Sequence, residues 1–436
     1  MKKKIGIRRE DKNEWERRVP LIPEHVKELK EKHGIETIIQ PSKLRIFSDE
    51  EYRKAGAKID ESLNEADVIF GVKEIPEKFF SEGKTYVFFS HTIKGQSYNM
   101  GLLNSMVERK INLIDYERIV DEKNRRLIFF GKFAGIAGMV ETLHALGQKL
   151  KMQGYDTPFE KIKQPYQYGS IEEAKREIEK IGEEINDEGL PIELSPFVIG
   201  FTGYGNVSKG AQEIFDLLPH KVVSINILEE NYENFIADNY HLYKVVFKEE
   251  DMVRPVDGVF ELQDYYKNPG KYVSVFDDYI PKLKALVNCI YWTEDYPRLV
   301  TKEFLKSESA LKSYLNLRVI GDISCDINGS IEITEKVTMP DNPTFSYFPN
   351  EDKIEDGVQR GGVTVMSVDN LPCEFSAESS KEFSRVLKDF AIEIAFADFT
   401  KDFSDLKLPG PIKRGLILHN GEFTKDYKYM KSFLKR

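Results

Sequence analysis

The sequence predicts an α/β protein built from two Rossmann-like domains, each a parallel sheet with helices on both faces. Three observations predict it. Short β-rich runs alternate with helical ones from Lys4 to Tyr116, and a glycine-rich turn again joins a strand to a helix near Gly203. The chain's 436 residues also exceed what one core holds, since single cores rarely grow past roughly 250–300 residues. With 41% hydrophobic residues, 28 Phe and 21 Tyr, there is apolar material for two cores.

The elements follow in order. Lys4–Arg8 reads as a strand, Pro23–His33 as a helix closed by Gly34, and Glu36–Gln40 as the next strand. Ser48 with Glu51 three residues on forms a capping box that opens a helix, and Gly56 stops it. Asp67–Val72, Thr85–Ser90 and Ile111–Tyr116 are strands, with a helix over Asn99–Arg109. Phe133–Gln153 reads as one long helix, because Met139, Leu143, Leu146 and Leu150 recur at spacings of three and four and Gly154 ends it. A helix of that length can tie two domains together. After the polar stretch Gln164–Gly169, Ser170 and Glu173 open an amphipathic helix carrying Ile171, Ala174, Ile178, Ile181 and Ile185. A second βα unit starts at Pro196: the run Phe197–Phe201 enters the glycine turn, and Ala211–Leu218 continues as a helix. Later strands fall at Tyr243–Phe247, Ala285–Ile290 and Arg318–Ile323. Past Ser330 come Pro- and Gly-punctuated segments, a helix over Lys381–Phe396 and a polar tail.

Charge and composition exclude several classes. With 63 basic against 73 acidic residues the net charge is −10, and no long basic run offers a surface for nucleic acid. Cys289, Cys325 and Cys373 make neither a disulfide framework nor a paired metal-ligand spacing, which fits a reducing compartment. The longest apolar stretch, Leu127–Val140, is interrupted by Lys132 and is too short to span a bilayer. The start has a basic end with no apolar region behind it, so the expected location is the cytoplasm.

The segment Gly203-Tyr204-Gly205-Asn206-Val207-Ser208 is the sharpest motif. A glycine turn between strand and helix lets main-chain N–H groups approach a pyrophosphate at the positive helix end. Ser208 stands where a third glycine belongs and Gly210 follows two residues later, so a plain tight turn is the alternative reading. About 20 positions on, an acidic residue should grip the ribose, and Glu229 or Glu230 is nearest. Lys73 and His91 each follow a strand, and strand C-terminal ends are where open α/β sheets bind ligands. A lysine and a histidine there form a proton-transfer pair, against the plainer reading of a surface Lys and a structural His. Arg17-Arg18 and Arg125-Arg126 offer guanidinium forks for carboxylates, or else surface ion pairs.

The chain resembles the lysine–oxoglutarate reductase (saccharopine dehydrogenase, lysine-forming) module of bifunctional lysine-degrading enzymes, within the alanine dehydrogenase, transhydrogenase and saccharopine dehydrogenase superfamily. The resemblance lies in Arg9-Glu10-Asp11, Trp15–Arg18, Gly71-Val72-Lys73, Phe88–Lys94, Asn99–Leu103, Leu113–Glu117, Ala134–Met139, Gly205–Gln212, Asp322–Ser324, Gly329–Glu332 and Val368–Pro372. It implies a discontinuous substrate domain of residues 1–150 and 340–436, a linker helix region 151–190, and a dinucleotide-binding domain 191–335 inserted between. It implies Lys73 and His91 as the acid–base pair, Arg18 on a substrate carboxylate with Arg126 as second choice, and Glu74, Glu117 and Asp121 as charge tuners. It also puts Asp326 at the nicotinamide end of the cofactor. The implied substrates are L-lysine and 2-oxoglutarate, reduced to saccharopine with NADPH, NADH being the alternative. A homodimer and a separate saccharopine-oxidising enzyme are the implied partners, since the chain stops where the reductase half stops. The alternatives are an amino-acid dehydrogenase of alanine dehydrogenase type and a nucleotide-binding module without turnover.

Overall fold

The computed structural model describes residues 3–232, 238–307 and 316–435. The chain divides into two units, Met1–Phe130 with Ser376–Arg436, and Gly131–Phe375 between them.

The first unit opens with strand β1 (Lys4–Ile7) and helix α1 (Pro23–His33), which has proline in its first turn and ends on Gly34 at φ 65°. There a side chain would be strained. β2 (Glu36–Ile39), α2 (Asp49–Lys54), β3 (Lys58–Ile59), β4 (Val68–Phe70), β5 (Thr85–Phe88), α3 (Ser97–Glu108) and β6 (Asn112–Asp115) follow. Both halves of the Ser48–Glu51 capping box form at α2. β4, β5 and β6 are buried at every position, as central strands covered on two faces must be.

The second unit starts with α4 (Gly131–Gln153) and α5 (Ile171–Glu188), then β7 (Val198–Thr202) and α6 (Asn206–Phe215). α4 and α6 pack backbone to backbone. A Cβ on Gly135 would come within 1.9 Å of the Val207 carbonyl, and one on Gly210 within 2.1 Å of the Lys132 carbonyl. Close helix packing, the usual task of a third motif glycine, therefore falls to Gly210, which leaves Ser208 permitted. β8 (His220–Val222), β9 (Leu242–Phe247), the two-stranded ribbon β10 (Val253–Pro255) and β11 (Tyr272–Ser274), β12 (Ala285–Asn288), β13 (Val319–Asp322), β14 (Thr344–Phe348), β15 (Lys353–Asp356) and β16 (Val363–Met366) complete it. The large sheet has the order β15-β14-β16-β13-β12-β7-β9-β8, parallel except where β14 runs antiparallel to β15 and β16.

The chain then returns to the first unit through the helix Ser376–Phe396, β17 (Leu416–His419) and β18 (Glu422–Phe423), giving the sheet order β18-β17-β6-β5-β4-β1-β2-β3. β17 pairs antiparallel with β6, so a late hairpin closes that edge. The hydroxyls of Ser380 and Ser384 accept the main-chain N–H groups of Val19 and Ile22 at 3.0 and 2.9 Å, tying the late helix to the first residues of the fold.

The fold is the expected one, two Rossmann-like sheets with one unit split by the other, but the divisions lie elsewhere than 150 and 340. α4 belongs to the second unit because its glycine face packs on α6. Residues 340–375 belong there too, because β16 pairs parallel with β13 and covers what would be an open edge. The first unit resumes only at Ser376.

Candidate active site

In the first unit, β4 and β5 are parallel neighbours, with Phe70 opposite Val87, so the turns that follow them lie side by side. Lys73 stands on one and His91 on the other. His91 has φ 48°, left-handed for a residue with a side chain. Its carbonyl accepts from Asn99 Nδ2 at 3.1 Å, its ring stacks on Phe89 with planes 14° apart, and its Nδ1 meets Glu74 Oε1 at 2.5 Å. Burial works to raise the Glu74 carboxyl, but the His91 bond and charge, helped by Lys12, hold it down at about 2. Glu74 is thus a carboxylate that orients the imidazole.

Two further carboxyls reach the same turns. Glu10, just past β1, accepts the N–H of Val72 at 2.7 Å and of Lys73 at 3.0 Å. Asp115, the last residue of β6, accepts the Ser90 N–H at 3.1 Å, the Ser90 hydroxyl, and the Glu117 N–H at 2.8 Å. The Ser90 hydroxyl also meets Thr92 Oγ1 at 2.8 Å. Neither carboxyl was singled out in the sequence as a site residue. The available signal was position: each is an acid at the end of a strand that neighbours β4 or β5.

Arg18 is 2% exposed, and its fork lies on Glu16, with Nε 2.8 Å from Oε1 and a terminal nitrogen 2.5 Å from Oε2. Its guanidinium also sits 4.2 Å from the centre of the Phe130 ring. Arg126 is exposed and donates to Glu117 Oε1 at 2.9 Å. Asp121 turns back on its own loop, accepting from the N–H groups of Lys123 and Arg125 and from the Arg125 guanidinium. Lys73, His91 and Glu74 are therefore grouped on adjacent turns, Glu117 is joined to them through Asp115, and Asp121 is committed to its own loop.

In the second unit, Gly203 has φ 80° and Gly205 caps α6, with nothing within 4 Å of the position a Cβ would take. Asn206 and Val207 begin the helix, so their N–H groups belong to its positive end. Ser208 is fully buried and accepts from Gln212 Nε2 at 2.8 Å. Strand, open glycine turn and ten-residue helix fit a dinucleotide's pyrophosphate. Glu229 lies in the helix Ile225–Asn231 and accepts from the Tyr279 hydroxyl at 3.0 Å. The strand beside β7 is β9, although β8 precedes it in the chain. Counting residues from the glycines and following the sheet order therefore point to different acids. The acid just past β9 is Glu249, whose Oε1 accepts from the Tyr266 hydroxyl at 2.6 Å. Asp326 sits in a tight turn after Cys325 (φ 56°), its carbonyl taking the Gly329 N–H at 2.9 Å. Beside it the buried Asp322 accepts from Asn288 at 2.8 Å and Thr334 at 2.7 Å.

Residues 6–137 match the family described as alanine dehydrogenase/PNT, N-terminal domain. The fold is like that of a solved L-alanine dehydrogenase, with a TM-score of 0.63 at 16% identity over 99% of each chain. The family match covers the N-terminal part of the chain. Over nearly its whole length the chain is similar to alpha-aminoadipic semialdehyde synthase of Arabidopsis thaliana, 39% identical over 443 residues covering 98% of this chain and 41% of that protein. The mitochondrial alpha-aminoadipic semialdehyde synthase of Bos taurus is 38% identical over 440 residues, covering 98% of this chain and 47% of that protein. The chain thus spans less than half the length of these relatives. The expectation of a cytoplasmic location is overturned by them, since the Bos taurus protein is named as mitochondrial. Among the described residues no helix is long and apolar enough to cross a membrane.

Proposed function

We propose that this chain is an NADPH-dependent reductase that condenses L-lysine with 2-oxoglutarate and reduces the resulting imine to saccharopine. The observation that carries the reading is the pair Lys73 and His91 on adjacent strand-end turns, with the buried Arg18 in the same unit. Similarity to alpha-aminoadipic semialdehyde synthase supports the substrate class.

The ε-amine of lysine must lose a proton before it attacks the ketone carbon, and the carbinolamine must gain one to release water. Lys73 and His91 share these transfers, with Glu74 holding the imidazole by its Nδ1. The two substrates bring three carboxylates, so arginine is required; Arg18 takes one of them, and Arg126 is the second candidate. The glycine turn at Gly203 and Gly205 and the N–H groups opening α6 hold the cofactor's pyrophosphate. A bound nicotinamide nucleotide supplies the hydride for the iminium carbon.

The test is oxidation of NADPH with lysine and 2-oxoglutarate, each omitted in turn. Turnover is expected only with both present, and ammonia should not replace lysine. Efficient turnover with pyruvate and ammonia would reassign the chain to an alanine dehydrogenase type of reaction.

A further inference from the structure

Two carboxylates flank the Lys73 and His91 turns symmetrically. In the sheet order β6-β5-β4-β1, the inner strands β5 and β4 carry His91 and Lys73 at their ends, and the outer strands β6 and β1 deliver Asp115 and Glu10. Each acid reaches inward to the neighbouring turn. Asp115 is 0% and Glu10 8% exposed.

The hydrogen-bond donors in both cases favour an ionised group, against burial. Each oxygen of Glu10 takes one main-chain N–H, Val72 on Oε1 and Lys73 on Oε2. Asp115 takes the N–H and hydroxyl of Ser90 on Oδ2 and the Glu117 N–H on Oδ1. A carboxamide in either place would turn its NH2 toward a donor whichever way it flipped. A neutral acceptor, or a loop carrying one, would satisfy orphan amides at a sheet end without burying a charge, and an uncompensated buried charge is costly. That cost is borne twice, at the two turns that carry Lys73 and His91 and from opposite sides.

We propose that Glu10 and Asp115 are positioning residues of the reaction, fixing the turns from which Lys73 and His91 act. The assignment rests on the reading of Lys73 and His91 as the proton-transfer pair.

The surroundings are consistent with it. Glu10 is faced by Arg8, Glu16 and Tyr116, and Asp115 by Glu117, Tyr116, His91, Arg118 and Tyr427. Burial and then Glu16 push the Glu10 carboxyl up to about 7 against its two N–H bonds. Burial and then Glu117 push Asp115 up to about 6 against the Ser90 bond. His91 itself is faced by Glu74 and Asp115.

The experiment compares Glu10→Gln and Asp115→Asn with Lys73→Met and His91→Gln, reading kcat, KM for both substrates, the pH profile of kcat, cofactor binding and Tm. Misplacing a reacting group by about 1 Å can cost about 100-fold, so kcat should fall roughly 10–100-fold in each carboxamide variant while KM stays within about 3-fold. A variant whose Tm falls while kcat of the folded fraction stays at the wild-type value is only structural and overturns the proposal. Should either carboxamide variant fail to fold, Glu10→Asp, which keeps the charge but withdraws it from the two amides, and Ser90→Ala, which removes one donor to Asp115, take their places. Each should lower kcat about 3–10-fold, and wild-type kcat in both overturns the proposal. Full turnover in Lys73→Met and His91→Gln would instead bring down the underlying reading, so the two failures are told apart.

Discussion

At the scale of single residues, the proton-transfer pair yields the sharpest prediction. Lys73→Met keeps the apolar stem and deletes the charge, so folding and NADPH binding should survive while turnover falls by roughly 10²–10⁴. His91→Gln should do the same, and the double variant should lose less than the product of the two, because groups that act as a unit are not additive. Near-full kcat in both single variants, with cofactor binding intact, would reduce them to structural residues. A second prediction concerns Glu249, the acid just past the strand beside β7. Glu249→Gln removes a charge that would repel a ribose phosphate, so kcat/KM with NADPH should rise roughly 3–10-fold while NADH changes little. An unchanged ratio of the two cofactors would take Glu249 out of the ribose site. The placing of Lys73 and His91 just past neighbouring strands was legible in the sequence, because each follows an apolar run that ends abruptly. Glu10 and Asp115 were not, because what distinguishes them is the neighbouring turn their oxygens reach, and that depends on which strands are adjacent. The count that pointed to Glu229 assumes that the next strand in the chain is the next strand in the sheet, and here β9 intervenes.

At the scale of elements, α4 carries a feature that hydrophobic periodicity hides. Glu141 lies on its fully buried face, where Gln164 Nε2 approaches Oε1 at 3.2 Å, and the buried Glu374 stands beside it. Burial pushes Glu141 up to about 7, and burial followed by the Glu141 charge pushes Glu374 well above the usual carboxylate range. A carboxyl raised above its unfolded value near 4.5 stabilises the fold fully below that pH, and the contribution is lost as pH rises through the folded value of about 7. Glu374→Gln should therefore gain on the order of 1–3 kcal/mol of stability at pH 8 relative to wild type, and much less at pH 5. Thermal melts at the two pH values check this, and an equal effect at both would mean the pair is not sharing a proton. The helix itself was readable from Met139, Leu143, Leu146 and Leu150. Its attachment was not, since Gly135 and Gly138 look like weak helix formers until Val207 and Ile323 are seen pressing on them.

At the scale of the whole molecule, the alternation of strands and helices made both sheets legible, whereas the divisions between units depended on late segments with little periodicity. β14 and β15 are an antiparallel edge that no βαβ rhythm announces, and β17 and β18 are a short hairpin in a polar tail. Those segments decide a fourth prediction. A chain ended at Glu335 lacks β14–β16, leaving β13 as an open edge, and lacks the helix Ser376–Phe396 whose hydroxyls bind Val19 and Ile22. It should be insoluble. Residues 131–375 alone contain a complete sheet and should stay soluble and bind NADPH, seen as a change in the cofactor's fluorescence. A soluble Glu335-ended chain with a native-like melt would count against the split unit.

The two passages of the chain between units, at Phe130 and at Ser376, also set an order of events during synthesis. The middle unit is one continuous stretch and can close as soon as it leaves the ribosome. The first 130 residues cannot, because the helix and hairpin that complete their sheet are made only after the middle unit. At about 5–20 residues per second, that wait is on the order of 15–60 s. Over that interval β6 has no partner on its outer side and the face of α1 that the late helix covers lies bare, surface that favours association with other chains until the helix and hairpin arrive. The half that carries Lys73 and His91 is begun before the middle unit and finished after it.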